Sequence, residues 1–397
     1  MGRPLASRMR DVGALVLVPA LLIGAGVGRG VVLAQDTPAA QEAPAPLAFA
    51  SPAALGEALF FDPRLSASGT QSCATCHDPN AGFADPRPDA LGGAVSLGAD
   101  ETSMGRRNAP TLTYAAEVPA FHRDAEGFRG GMFHDGRAAD LVEQAKGPML
   151  DAAEMQMADE AAVVAAVRAE ATYAAAFDAL FAPGVLDDPA RGFNAIAQAI
   201  AAFERTETFA PYDSKYDRWL AGEAELTDLE ALGRVLFFSQ QFTNCALCHL
   251  GDGGLRDARE TFTDHRYHNV GTPAHPGLPA ADPGLAENPA AAGDPRQAGR
   301  FRTPTLRNVA VTGPYMHNGV FKDLRTVVLF YNSWNTRSET RRINPETGET
   351  FGPPRFPDTL ARVDLEHGPA LDDQRIDALV AFLETLTDAR YEPLLDE

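Results

Sequence analysis

Residues 71–79 read QSCATCHDP and residues 244–251 read NCALCHLG. Each stretch sets two cysteines two residues apart with a histidine directly after the second, and together they hold all four cysteines of the chain. Structural zinc, a redox dithiol and covalent haem attachment all use C-x-x-C. A zinc site made from both pairs would leave each following histidine without a role, and a thioredoxin-like dithiol belongs in a βαβ setting that this sequence lacks. In c-type haem attachment every position is used, because the cysteines form thioethers to the porphyrin and the histidine on the same turn is carried under the iron. The spacing therefore predicts two covalent haems, one on Cys73 and Cys76, the other on Cys245 and Cys248, with His77 and His249 as proximal ligands.

The flanking residues repeat as well. LGEALFFDPRLSASGTQSCATCH (Leu55 to His77) is echoed by LGRVLFFSQQFTNCALCH (Leu232 to His249), which reads as one domain used twice. Between the copies, residues 153–181 and 194–206 place apolar residues three and four apart, as helices do. Further helices are predicted at Asp323–Asn332 and Asp372–Leu386, and Gly/Pro-rich loops at 78–110 and 271–304. Strand signals are scarce. The expected fold is mostly α, with two related cytochrome c-like haem domains joined by long loops: residues 51–220 and 221–397.

The first residues belong to neither domain. Arg3, Arg8 and Arg10 precede an uncharged run from Val12 to Gly28, and Val32-Leu33-Ala34 supplies a cleavage site. Residues 1–34 are thus expected to be a secretory signal, residues 35–50 a flexible leader, and the protein periplasmic without a stable membrane span after cleavage. Export suits the cysteine usage, since an oxidising compartment does no harm when no thiol is left free. The formal charge of -20 disfavours nucleic acid and anionic lipid as partners and favours a basic protein or none.

What fills the sixth position of each iron decides the chemistry. Between His77 and Phe121 there is no histidine, and the only methionine is Met104. An open first iron is the natural reading, and an open ferric haem binds and cleaves peroxide whereas a saturated one only passes electrons.

At this point the sequence resembles the bacterial di-haem cytochrome c peroxidase family and its MauG branch. The resemblance rests on FFDPRLSASGTQSCATCHDP, RRNAPTL (Arg106 to Leu112), FHDGRAADLVEQAKGPMLDAAEM (Phe133 to Met155), FRTPTLRNVAVTGPYMHNG (Phe301 to Gly319) and FYN (Phe330 to Asn332). It implies that the N-terminal haem reacts with hydrogen peroxide and that the C-terminal haem is six-coordinate. It makes Gln144 and Pro148 the distal glutamine and the proline at the pocket entrance, and Glu154 the distal acid. Tyr331 falls where peroxidases that take electrons from small cytochromes have methionine and MauG-like proteins have tyrosine; Met316 is its rival as ligand. A phenolate favours higher oxidation states, whereas a thioether favours ferrous iron. The resemblance also implies Ca2+ held by the Asn108 side chain and the carbonyls of Thr312 and Pro314, an oxygen-only set that suits this ion.

Two departures stand out. His134 occupies the place of the family's inter-haem tryptophan, and histidine is harder to oxidise. Thr243 stands where MauG-like proteins have the tryptophan that draws electrons from a docked protein, leaving Trp219 and Trp334 as the only tryptophans. His268, Arg302 and Arg307 are candidates for haem propionates. The expected function is an exported MauG-like peroxidase-type enzyme that oxidises an aromatic residue of a partner protein. The alternatives are a peroxidase that reduces peroxide to water with a small cytochrome or cupredoxin donor, and a di-haem electron carrier with both irons saturated.

Overall fold

A computed structural model describes residues 48–88, 90–250, 259–278 and 281–396. The predicted signal and all but the last three residues of the leader lie outside these ranges. In the first half the helices are α1 (Pro52–Phe60), α2 (Cys73–Cys76), α3 (Leu141–Leu150), α4 (Glu160–Arg168), α5 (Ala171–Leu180) and α6 (Pro189–Glu204). In the second they are α7 (Lys215–Leu220), α8 (Asp228–Phe238), α9 (Cys245–Cys248), α10 (Leu324–Ser333), α11 (Arg362–Leu365) and α12 (Asp373–Glu384). Among the described residues the only sheets are two short antiparallel ribbons, β1 (His122–Asp124) with β2 (Gly127–Arg129) and β3 (Tyr267–His268) with β4 (Phe301–Arg302). The fold is mostly α, with cytochrome c-like helix packing around each C-x-x-C-H turn.

Side-chain caps set most helix starts. Asp188 and Asp372 accept from the amides of Arg191 and Arg375, opening α6 and α12. The periodic stretch 153–181 is not one helix. Asp159 caps α4 only after a turn, and Glu170 leaves the helical region between α4 and α5. Its carboxylate accepts from Arg64 at 3.0 Å and from the Thr172 hydroxyl at 3.0 Å, both exposed contacts beside the break.

The repeated Leu-Gly has a packing reason. A Cβ on Gly56 would lie 1.8 Å from the carbonyl oxygen of Ala199, and one on Gly233 would lie 1.8 Å from that of Ala378. The pairs α1/α6 and α8/α12 therefore cross with backbone against backbone, which only glycine permits. The repeated Phe-Phe follows the same logic: Phe60 packs edge-on to Phe203 at 5.4 Å, and Phe237 packs on Phe382 at 5.2 Å. Each crossing nucleates a buried cluster, with Leu59, Ile196 and Ile200 in the first and Leu236, Ile376 and Leu379 in the second. Each such side chain contributes about 1.5–3 kcal/mol on burial.

Buried polar contacts tie the halves together. The Tyr114 hydroxyl donates to Asp388 at 2.6 Å, and Asn308 donates to Asp388 at 2.7 Å and to Thr113 at 3.2 Å. Arg107 donates to both carboxylate oxygens of Asp282, at 2.6 and 2.7 Å, and to Asp135 at 2.5 Å. The seam is thus specified by hydrogen bonds that are expensive to leave unmade.

Candidate functional site: a cavity spanning both C-x-x-C-H turns

Every residue singled out above for haem attachment, iron ligation, the distal pocket and Ca2+ lines one cavity of about 690 Å³. That lies within the range of about 300–1,000 Å³ usual for cofactor sites. Cys73, Cys76 and His77 reach it from α2, and Cys245, Cys248 and His249 reach it from α9. Both helices are single turns, so the His77 amide bonds to the Cys73 carbonyl at 3.0 Å and the His249 amide to that of Cys245 at 2.9 Å.

Each ring is then aimed by a second contact. His77 Nδ1 donates to the Phe83 carbonyl at 3.0 Å, and His249 Nδ1 donates to the Phe262 carbonyl at 2.9 Å. A carbonyl can only accept, so Nδ1 carries the proton and Nε2 is left bare and basic, as an iron ligand requires. Phe83 and Phe262 hold left-handed backbone at φ 54 and 53, a conformation costly for a bulky residue. The same strain at the same place in both copies argues that aiming the imidazole is what it serves.

The chain's own chemistry fits two covalent haems. The four cysteines are unpaired despite their spacing. Burial pushes the Cys73 thiol up to about 12 and those of Cys76 and Cys245 to about 11, the opposite of the lowered value a redox dithiol needs. Cys248, Asp264 and His268 bring three possible ligand atoms within 4.8 Å of one another. His268 Nε2, however, is bonded to Asp264 at 2.8 Å, and Cys248 belongs to the attachment turn. Arg302, on the cavity wall, has a buried Nε with no partner among the described residues, a cation suited to a propionate. Arg307 is not available for that role: it is fully buried and paired with Asp217, with Nε donating to the Glu260 carbonyl at 2.7 Å.

On the first side, Gln144 and Pro148 are one turn apart on α3 and share a face. Pro148 lacks an amide proton, so the Gln144 carbonyl loses the donor four residues on that a helix normally supplies. Glu154 follows in the turn after α3; its backbone amide bonds to the Asp151 carbonyl at 3.1 Å and its own carbonyl accepts from Ala99 at 2.7 Å. Burial, and then the nearby Asp151 carboxylate, raises its carboxyl to about 7, with Arg137 opposing. Met104 also lines the cavity, with 46% of its surface exposed.

On the second side, Tyr331 projects from α10 into the cavity, and among the described residues its phenol has no hydrogen-bond partner. Burial, and then the sulfurs of Cys248 and Cys245, raises its ionisation above the ordinary phenol value, so the free phenol stays neutral until a cation compensates. Met316 lines the same cavity. Between the sides, His134 Nε2 donates to the Asn108 carbonyl at 3.0 Å, and the His134 carbonyl accepts from the Arg302 amide at 2.8 Å. Burial first, then Arg107 and Arg302, pushes His134 down to about 4, so it is a neutral bridge. Asn108, Thr312 and Pro314 also line the cavity; the carbonyls of the last two accept no hydrogen bond among the described residues.

The tryptophans lie elsewhere. Trp334 is not on the cavity wall; its ring packs against Phe330 at 6.3 Å and its indole nitrogen is buried without a partner. Thr243 is buried, its hydroxyl donating to the Leu236 carbonyl at 2.6 Å. Sequence reasoning passed over two cavity residues. His317 stacks on Phe301 at 3.6 Å and is pushed down to about 3, chiefly by burial. Glu204 is a buried carboxyl whose Oε2 has no partner among the described residues. A single acid on an alanine-rich helix carries no sequence signal, though the mismatch between FERT and FLET at the two helix ends was open to comparison.

Two C-x-x-C-H turns on matching helix crossings, opening into one cavity, define a c-type protein with two covalent haems in a single chain. The family model described as "Di-haem cytochrome c peroxidase" matches residues 50–225. The chain is 54% identical over 354 residues to methylamine utilization protein MauG of Paracoccus denitrificans, covering 87% of this chain and 90% of that one. Cytochrome c551 peroxidase of Pseudomonas aeruginosa is 32% identical over 278 residues, covering 69% of each chain. Among solved structures, the diheme peroxidase BthA of Burkholderia thailandensis superposes with a TM-score of 0.76 at 37% identity, covering 86% of this chain and 87% of that one. The chain belongs to the di-haem cytochrome c peroxidase and MauG family, and it is a di-haem oxidoreductase that acts on peroxide.

Proposed function

We propose that this protein is an exported, periplasmic, MauG-like enzyme of two haem domains that uses peroxide to oxidise an aromatic residue of a partner protein. The observation that carries this reading is Tyr331, an oxygen donor without a hydrogen-bond partner among the described residues, on the wall that also holds His249. The 54% identity to a MauG supports it.

When bound, the haems supply the oxidation–reduction chemistry, and the open one is where peroxide meets iron. The protein's part is to move protons and to fix ligands. Glu154, held near 7, accepts a proton from the near oxygen of peroxide and returns one to the far oxygen, which leaves as water. The Gln144 amide orients peroxide, and Pro148 shapes the entrance. His77 and His249 would present bare Nε2 atoms to the irons, and Tyr331 would give the second haem a hard oxygen donor, which favours higher oxidation states. Neutral His134 links the two sides by hydrogen bonds. Ca2+ at Asn108, Thr312 and Pro314 would stiffen the seam between them, its oxygen donors suiting that ion. Among the described residues no helix is long and apolar enough to cross a membrane.

A second reading has a specific observation in its favour. Thr243 is buried and hydrogen-bonded where a relay tryptophan is expected, which suits a peroxidase fed by a small electron-transfer protein. Stoichiometric peroxide added to the oxidised protein separates the two. A spectral change lasting minutes supports the MauG-like reading, and immediate return to the resting spectrum supports the peroxidase.

A further inference from the structure

The end of α6 carries a buried acid at a position for which the fold provides its own control. Phe203-Glu204-Arg205-Thr206 corresponds to Phe382-Leu383-Glu384-Thr385 at the end of α12. Three contacts fix that register. Gly56 meets Ala199 as Gly233 meets Ala378. Phe203 packs on Phe60 as Phe382 packs on Phe237. The Thr206 and Thr385 hydroxyls donate to the carbonyls of Phe203 and Phe382, at 2.8 and 2.6 Å. Leu383 is therefore the counterpart of Glu204, and both line the cavity, 7% and 2% exposed.

The second half shows that an apolar side chain completes this helix end. Packing alone does not call for a carboxyl in the first half, and the carboxyl is costly because its Oε2 finds no partner. Burial raises it to about 8, with Arg205 opposing. Its charge is felt at the Cys73 sulfur, the point of haem attachment. The charged groups on the elements packed against α6 are Glu57 on α1, Glu143 and Lys146 on α3, Glu160 and Arg168 on α4, and Asp187 before α6; none contributes to the shift.

We propose that Glu204 is a redox-linked proton site of the first haem pocket, protonated when that haem is reduced and ionised when it is oxidised. One electron from an external chemical reductant enters the haem while a hydronium ion gives one proton to the Glu204 carboxylate, one O–H bond forming on the carboxyl as one breaks in the hydronium; oxidation reverses both. The physical cause is local. A carboxylate in a low-dielectric wall needs a nearby positive charge, and adding an electron to the haem removes one. The proposal rests on haem attachment at Cys73.

The test is a potentiometric titration of the first haem from pH 6 to 9 in the full-length protein and in Glu204→Gln and Glu204→Leu. In the native protein the reduction equilibrium is expected to fall tenfold per pH unit within the window, about 59 mV for one electron. In both variants the fall is lost above pH 8, where Glu154, near 7, is already ionised, while Glu154→Gln keeps it. Infrared difference spectra of the reduced and oxidised forms should show a protonated carboxyl signal that is absent from Glu204→Gln. The leucine variant copies the second half and is expected to fold. A flat native titration, or an unchanged slope in both variants, overturns the proposal. Pyridine haemochrome absorbance reports two haems per chain throughout; one missing from the native protein counts against the reading of the site instead.

Discussion

At the scale of single residues, the proposed chemistry rests on Glu154 and Tyr331. Glu154 must be ionised to accept a proton, and its carboxyl sits near 7 because burial disfavours the charge. The rate with peroxide is therefore expected to rise with pH through about 7. Glu154→Gln, measured by stopped-flow, should lower it by roughly 10²- to 10⁴-fold and remove that limb. Burial of Glu154 also affects stability. Its folded value lies above the unfolded one, so its contribution is present below the unfolded value and is lost as pH rises towards 7. Tyr331→Met exchanges a hard donor for a thioether; spectroelectrochemistry should find one haem's potential raised by on the order of 100 mV, part of the ~0.8 V that axial ligands span. The haem turns were legible in the sequence because covalent attachment packs three reacting residues into five positions. Glu204 and His317 were not, because each acquires its meaning from residues far away in the chain.

At the scale of elements, the helix crossings explain why so short a motif repeats. Leu-Gly and Phe-Phe are the residues that let α1 meet α6 and α8 meet α12, and those crossings hold the haem turns in place. Gly56→Ala and Gly233→Ala put a methyl 1.8 Å from a backbone oxygen that cannot rotate away. Each is expected to cost about 3 kcal/mol or more, at the upper end for overpacking, and to lower the thermal midpoint of the haem-loaded protein. An alanine variant as stable as the native protein would mean that the two helices can separate without loss. The helices α6, α10 and α12 were legible from their periods and caps. The break at Glu170 was not, since no glycine or proline marks it.

At the scale of the whole molecule, charge and seam set how the protein meets others. With a formal charge of -20, association with a basic protein donor is expected to be steered electrostatically. Its kcat/KM should fall by about tenfold or more as salt shortens the screening length to roughly 8 Å, while consumption of uncharged hydrogen peroxide stays constant. Steady-state assays at two ionic strengths check this.

The central claim is that one iron is open to small oxidants and the other is closed by an oxygen donor from α10. Low-temperature EPR of the oxidised resting protein, beside Tyr331→Met, tests it most directly. The expected result is one high-spin and one low-spin ferric signal, with only the low-spin signal altered by the substitution. Two low-spin signals in the native protein, or a low-spin signal indifferent to Tyr331, would contradict it.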